Sequence, residues 1–244
     1  MQHGLPEQAI EPTASRTGAN KLGYRAVKRA FDLTATAMAV IVLSPLFLIL
    51  SVIVYLGDPG AVIYGQVRIG KNGKPFKMWK FRSMYRNADQ MIDQLSEEQK
   101  RQYHTEFKID NDPRITPVGN FLRKTSLDEL PQLFNILKGE MSFIGPRPER
   151  PQIIREYIEE MPEFAYRTRV KAGLAGYAQV YGKYNTTPYD KLKLDLFYIE
   201  NYSVWLDLKL MLLTLKILFT PDSTEGVDEK QVTAMKKQVQ EEEK

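Results

Sequence analysis

Cysteine is absent from the 244-residue chain, and histidine occurs only twice. The first absence removes disulfides, thiolate nucleophiles and Cys-ligated zinc together, while leaving the compartment open. The second leaves little for imidazole catalysis or His-metal clusters. His3 lies in a polar N-terminal stretch and His104 in the charged segment Glu97–Lys108, where both read as surface residues. Chemistry therefore falls to carboxylates, lysine, arginine, hydroxyls and a hard cation. Mg²⁺ suits that inventory, with Mn²⁺ as a substitute, because it takes oxygen ligands and usually binds through one or two carboxylates plus substrate phosphates. An excess of acid is missing too. The net charge of +4 and pI near 9 call for an anionic partner: nucleic acid, phospholipid headgroups or a phosphorylated substrate. No basic patch interleaved with exposed aromatics stands out, so nucleic acid is not the expected partner.

Charge is missing altogether from Leu33 to Gly57, and about 20 apolar residues suffice to cross a bilayer core. Lys21, Arg25, Lys28 and Arg29 precede the run, and Arg68, Lys71, Lys74, Lys77, Lys80 and Arg82 follow it. Basic flanks mark the cytoplasmic side. A crossing helix carries one cluster to the far side, whereas a helix that enters and turns back keeps both in the cytoplasm. Ser44-Pro45, at the middle of the run, permits that turn, because proline removes one helical donor and the neighbouring hydroxyl can serve the freed carbonyl. A kinked spanning helix is the competing reading. A buried helix of a soluble domain fits less well, since so long an uncharged run exceeds ordinary core helices.

Residues 1–20 are polar, lack the basic start and cleavage site of a signal peptide, and read as a flexible arm. Past the apolar run, two β-prone strips flank Lys71-Asn72-Gly73-Lys74, a hairpin signal. Ala88–Phe107 is charged and amphipathic and predicts a solvated helix. Thr116-Pro117 and Thr187-Pro188 each supply an N-cap followed by a first-turn proline, opening helices to about Lys124 and about Asn201. Lys171–Lys183 is turn-rich with a short extended piece. The segment "VWLDLKLMLLTLKILF" is apolar but broken by Asp207, Lys209 and Lys216. It fits a helix lying in the headgroup layer, and equally a core helix. Residues 221–244 read as a polar tail.

Asp128 and Glu129 stand side by side before an apolar run ending at Lys138-Gly139. Ser126-x-x-Glu129 fits a capping box, and acids in a first turn are favoured by about 0.3–1 kcal/mol. Pro131 disturbs that register and fits better if Asp128 is the N-cap, which keeps both carboxylates near a helix mouth that also attracts phosphate. Arg147, between Pro146 and Pro148, has a restricted backbone, and a preset guanidinium suits bidentate phosphate binding as readily as an ordinary turn. Together, basic flanks, a membrane run, paired acids and a fixed arginine point to phosphate chemistry at a membrane surface.

With these residues assembled, the sequence resembles the bacterial sugar transferase family, the monotopic polyprenyl-phosphate phosphoglycosyltransferases, from about Tyr24 to Phe219. The stretches "FDLTATAMAVIVLSPLFLI", "KFRSM", "SLDELPQLFNILKGEMSFIGPRPE", "KAGLAGYAQVYGK" and "LDLFYIENYS" carry the resemblance. It implies transfer of a sugar 1-phosphate from a UDP-sugar to polyprenyl (undecaprenyl) phosphate with release of UMP. In that scheme Asp128 is the nucleophile and forms a phosphosugar intermediate. Glu129 holds Mg²⁺ with Asp128, while Lys80, Arg82, Arg123 and Arg147 bind phosphate. Asp195 is a further active-site acid, whose alternative is a surface pair with Lys191. Ser44-Pro45 breaks a re-entrant membrane helix. Lys183 departs from an expected Arg. The arm is too short for the extra N-terminal membrane bundle of larger members, so a short form is expected.

The expected fold is α+β and mainly helical: a re-entrant helix at 21–60, then a catalytic domain at 61–220 with a small hairpin and interfacial helices, facing the cytoplasm at the inner membrane. The expected partners are the UDP-sugar, the polyprenyl phosphate and membrane lipid, with a homodimer left open. Two competing functions are a membrane-tethered binding module, in which the acids only cap a helix, and a metal phosphatase.

Overall fold

The computed structural model describes residues 22–219 except 107, 108, 110 and 183–185. The N-terminal arm, the C-terminal tail, Phe107 and Lys183 lie outside the described residues. The fold is mainly helical, with a small hairpin as expected. Contacts divide it into two compact units, one of residues 36–66 and 78–135, the other comprising the rest.

Helix α1 (Leu22–Gly57) contains Pro45. Pro45 has no N–H to offer the Ile41 carbonyl, and Ser44 Oγ donates to that carbonyl at 2.8 Å, which is the repair the Ser-Pro pair suggests. Among the described residues α1 is long and apolar enough to cross a membrane, and only 11% of its most apolar window is buried. So little burial is not that of a core helix.

In the first unit, one stripe of α1 turns inward. Leu46, Phe47, Leu50 and Val54 recur at helical spacing and pack with Phe81, Leu122, Leu127 and Leu130. Residues on other faces, Ile41, Val42, Leu48 and Leu56 among them, stay exposed. Strands β1 (Ile63–Ile69) and β2 (Pro75–Phe81) form the hairpin, whose turn end, residues 67–77, counts with the second unit. At its turn Asn72 and Gly73 both have positive φ, 56° and 71°, as a two-residue turn matched to strand twist requires. The expected helix over Ala88–Phe107 forms only in its second half. Gln90–Gln94 makes tight turns, and α2 (Glu97–Glu106) begins at a reciprocal cap, in which Ser96 Oγ accepts from Gln99 N–H and Gln99 Oε1 accepts from Ser96 N–H.

Helix α3 (Pro117–Lys124) starts as expected, with Thr116 Oγ accepting from Gly119 N–H at 2.8 Å. Gly119 is required for another reason. A Cβ there would lie 1.9 Å from the Ser83 carbonyl oxygen, so α3 rests directly on the backbone that leaves β2.

The second unit is built on β3 (Met141–Ile144) and β4 (Ala172–Ala175), paired in parallel with Ser142 opposite Gly173. Around them pack α6 (Tyr177–Tyr181), α7 (Pro188–Asn201) and α8 (Val204–Phe219), while Ile154 of α5 (Pro151–Glu160) packs with Ile69, Phe164 and Leu192. Thr187 caps α7 by accepting from Asp190 N–H. Helix α8 packs one face into the core and leaves an apolar face outside. Leu210 is fully buried, whereas Trp205 and Leu212 are 74% and 60% exposed. Asp207 is no solvent-facing break in the run, because its carboxylate is buried against Lys28 Nζ at 2.6 Å and the hydroxyls of Tyr24 and Tyr198 at 2.5 and 2.7 Å.

Candidate active site

Asp128 and Glu129 sit where two structural preferences conflict. The preceding Ser126 is left-handed (φ 56°, ψ 13°), Leu127–Glu129 forms a single tight turn, and α4 (Gln132–Lys138) begins only after Pro131. The expectation that Asp128, or a Ser126–Glu129 box, caps this helix is therefore corrected. Ser126 makes no side-chain cap bond, and Pro131 is accommodated before the helix, where its missing N–H costs nothing. The helix-terminus field is accordingly not what would attract phosphate here. Leu127 and Leu130, on either side of the acids, pack into the α1 stripe, and this apolar anchorage fixes the turn.

Lys80, at the end of β2, reaches both acids: Nζ lies 2.7 Å from Glu129 Oε1 and 3.5 Å from Asp128 Oδ2. Asp128 is 7% exposed. Burial pushes its carboxyl above the usual aspartate range, and Glu129 adds to the shift, against the downward pull of Lys80 and Arg123. Arg123, in the last turn of α3, is oriented by donation from Nε to Ser83 Oγ at 2.8 Å. The contact between Gly119 and Ser83 thus sets the position of this guanidinium. Arg82 is engaged elsewhere: its guanidinium pairs with the Asp58 carboxylate at 3.6 Å and donates to the Asp58 carbonyl, holding the exit of α1.

Arg147 and Asp195 belong to the second unit. Four successive carbonyls around Arg147 each accept a bond: Pro146 from Gly173 N–H, Arg147 from Arg167 Nη2, Pro148 from Arg68 Nη1 and Glu149 from Ile69 N–H, at 3.0–3.3 Å. The two prolines set its backbone and these bonds hold it. Asp195 is 1% exposed and accepts from Arg167 Nε at 2.6 Å. The alternative surface pair with Lys191 is not formed, because Lys191 pairs with Glu149 instead. Arg167 therefore links Asp195 to the Arg147 segment. Burial alone would raise the Glu149 carboxyl, but Lys191 and Arg167 hold it below the usual range. Arg167 and Glu149 were not singled out by sequence reasoning. Glu149 lies in the quoted GPRPE stretch, but nothing in "YRTRV" marks one arginine as the buried one.

Among the described residues no three His, Cys, Asp or Glu side chains cluster as a complete metal shell. The Asp128-Glu129 pair offers hard oxygens alone, which fits Mg²⁺ bound by one or two carboxylates with phosphate completing the shell.

A family model described as bacterial sugar transferase matches residues 23–221. The chain belongs to the bacterial sugar transferase family. Within this family it is similar to the UDP-N-acetylgalactosamine-undecaprenyl-phosphate N-acetylgalactosaminephosphotransferase of Aeromonas hydrophila, 38% identical over 81% of this chain and 44% of that protein. Similarity also extends to the undecaprenyl-phosphate galactose phosphotransferase of Salmonella typhimurium, 40% identical over 83% of this chain and 42% of that protein. A third relative is the exopolysaccharide production protein ExoY of Sinorhizobium fredii, 40% identical over 77% of this chain and 83% of that protein. The chain thus spans less than half the length of the first two bacterial sugar transferases and most of the third.

Proposed function

We propose that this chain transfers a sugar 1-phosphate from a UDP-sugar to polyprenyl phosphate at the cytoplasmic face of the inner membrane, releasing UMP and starting oligosaccharide or exopolysaccharide assembly. The names of its relatives support the reaction class. The observation that carries the assignment to residues is the buried Asp128 beside Lys80, Glu129 and Arg123 in a cysteine-free chain.

Asp128 attacks the sugar-bearing phosphorus through a carboxylate oxygen as the bond from that phosphorus to the UMP oxygen breaks, leaving a phosphosugar on Asp128. A phosphate oxygen of the lipid then attacks the same phosphorus and the carboxylate leaves, giving a polyprenyl-diphosphate sugar. Phosphoryl transfer depends mostly on positioning and on neutralising charge over the oxygens, and a carboxylate nucleophile splits it into two steps. Lys80 orients both acids and carries one positive charge to the phosphates, and Arg123 brings a second. Arg147 is a phosphate ligand held stiff by its segment, with Asp195 positioning it through Arg167. Arg82 serves by fixing the α1 exit. Glu129, with Asp128, would hold Mg²⁺, which when bound neutralises phosphate oxygens. In this reading α1, which is continuous through Pro45 in the structure, bends at Ser44-Pro45 so that it enters and leaves by one leaflet.

The test is UMP release from UDP-glucose, UDP-galactose and UDP-N-acetylated sugars with undecaprenyl phosphate and Mg²⁺. One donor should give turnover that depends on acceptor and falls at least tenfold in excess chelator. Undiminished release in chelator contradicts the metal, and free sugar phosphate formed without acceptor favours a phosphatase.

A further inference from the structure

A cavity of about 260 Å³ opens in the second unit, away from the Asp128 turn in sequence and lined in part by the first three turns of α1. Half of its lining is cationic, namely Arg25, Lys28, Arg29, Lys71, Arg169 and Lys171, against a single acid, Asp32. Three of these charges are already committed. Lys28 is paired with Asp207 at 2.6 Å. Arg29 donates to the carbonyls of Ile136 and Leu137 at 2.7 and 2.8 Å, closing the end of α4. Asp32 accepts from Ser142 Oγ and Phe143 N–H at 3.1 and 3.2 Å, and its charge also offsets part of that of Lys171. Arg25, Lys71, Arg169 and Lys171 are left as an excess of positive charge. Arg169 stacks over the Tyr166 ring at 3.9 Å, and its Nη2 is buried with no hydrogen-bond partner among the described residues.

Such an arrangement is costly without an anion. Burial and then Arg25 hold the Lys71 ammonium below the usual lysine range, and burial and then Arg29 do the same for Lys171. Two further observations say which anion. The cavity takes its α1 wall from residues 24–32, and the uncharged run begins at Leu33. Tyr202, also in the wall, lies two residues before the start of α8, whose exposed Trp205, Leu208 and Leu212 form an apolar outer face. Tyrosines and basic side chains beside the start of an apolar helix are the signature of the headgroup layer, where basic pockets between helices take phospholipid phosphates. The volume is below the roughly 300–1,000 Å³ of pockets for drug-sized ligands, and suits a phosphodiester headgroup better than a nucleotide sugar.

We propose that this cavity holds the headgroup phosphate of an anionic phospholipid, gripped by Arg25, Lys71, Arg169 and Lys171. The lipid ties the start of α1 to the β3–β4 unit. The inference rests on the membrane placement of α1 and not on the transfer reaction.

The experiment uses the full chain in phosphatidylcholine nanodiscs with and without phosphatidylglycerol, extracted gently and weighed intact by native mass spectrometry. One phosphatidylglycerol should be retained in preference to phosphatidylcholine. The Arg169→Gln/Lys171→Gln double variant should lower that retention about tenfold or more, as two surface cations are worth roughly 1 kcal/mol each toward an anionic lipid. If the double variant does not fold, Lys71→Gln alone should lower retention several-fold. Asp128→Asn should retain the lipid as the unaltered chain does, whatever its effect on turnover. Equal retention by the unaltered chain and the cavity variants overturns the site. Protection against thermal unfolding by inorganic phosphate, with no retention of phosphatidylglycerol, overturns the lipid and leaves a free-phosphate site.

Discussion

Asp128 is a carboxylate whose surroundings both need and penalise its charge. Burial and Glu129 disfavour ionisation, while Lys80 and Arg123 favour it, and the balance leaves the carboxyl above the ordinary range. The native state therefore holds the Asp128 proton more tightly than the unfolded chain does. Its ionisation subtracts stability above the native pKa, and the subtraction fades as pH falls toward the unfolded value of about 3.9. Asp128→Asn should accordingly raise Tm at pH 7 by a few degrees, on the scale of about 2–4 °C per kcal/mol, with a smaller gain at pH 4. The same variant should lose activity by on the order of 10³-fold or more. Differential scanning fluorimetry and UMP release on one preparation check both, and a loss of activity that comes with a lowered Tm points to misfolding in place of chemistry. The identity of the acids was legible in the sequence, but their environment was not. Pro131 settles the local backbone by excluding a helix until Gln132, and which side chains bury Asp128 depends on α1 and β2, far away in the chain.

At the scale of elements, α1 was the most legible and α2 the least. An uncharged run with a Ser-Pro pair specifies its own hydrogen-bond repair, seen in Ser44 and Ile41. The two Thr-Pro starts specify their own caps, seen in Thr116 and Thr187. Charged amphipathic sequence over Ala88–Phe107 had no such local marker except Ser96, and the helix begins there. The β3–β4 pairing was unreadable for a different reason: both strands are four residues long, and their parallel register is set by contacts across about thirty intervening positions. Re-entrance of α1 can be checked on this element directly. The chain has no cysteine, and a Cβ at Gly23 meets nothing within 4 Å, so Gly23→Cys and the exposed Lys124→Cys are clean reporters. Both should resist an impermeant thiol reagent in intact cells and react in inverted vesicles. Labelling of Gly23→Cys from outside, with Lys124→Cys still protected, supports a spanning helix in place of re-entrance.

For the whole molecule, three features of the sequence pointed toward phosphate chemistry at a membrane surface: its charge-free run, its basic flanks and its paired acids. It did not announce the two buried ionic clusters, Arg167 with Asp195 and Glu149, and Asp207 with Lys28 and two tyrosines. Both use residues that look like ordinary helix-surface charges, because a single chain gives no sign of which ions a fold will bury. These clusters lock the segment carrying Arg147 and the start of α1, whereas the Asp128 turn is held by its leucines together with Lys80. The central claim is that Asp128 becomes covalently linked to the phosphosugar before any lipid acceptor is present. Intact-mass and peptide analysis after incubating the protein with its UDP-sugar and Mg²⁺ alone tests it most directly. The account predicts one sugar-phosphate adduct located on Asp128, discharged on adding polyprenyl phosphate, and an adduct on another residue, or near full turnover by Asp128→Asn with no adduct, contradicts it.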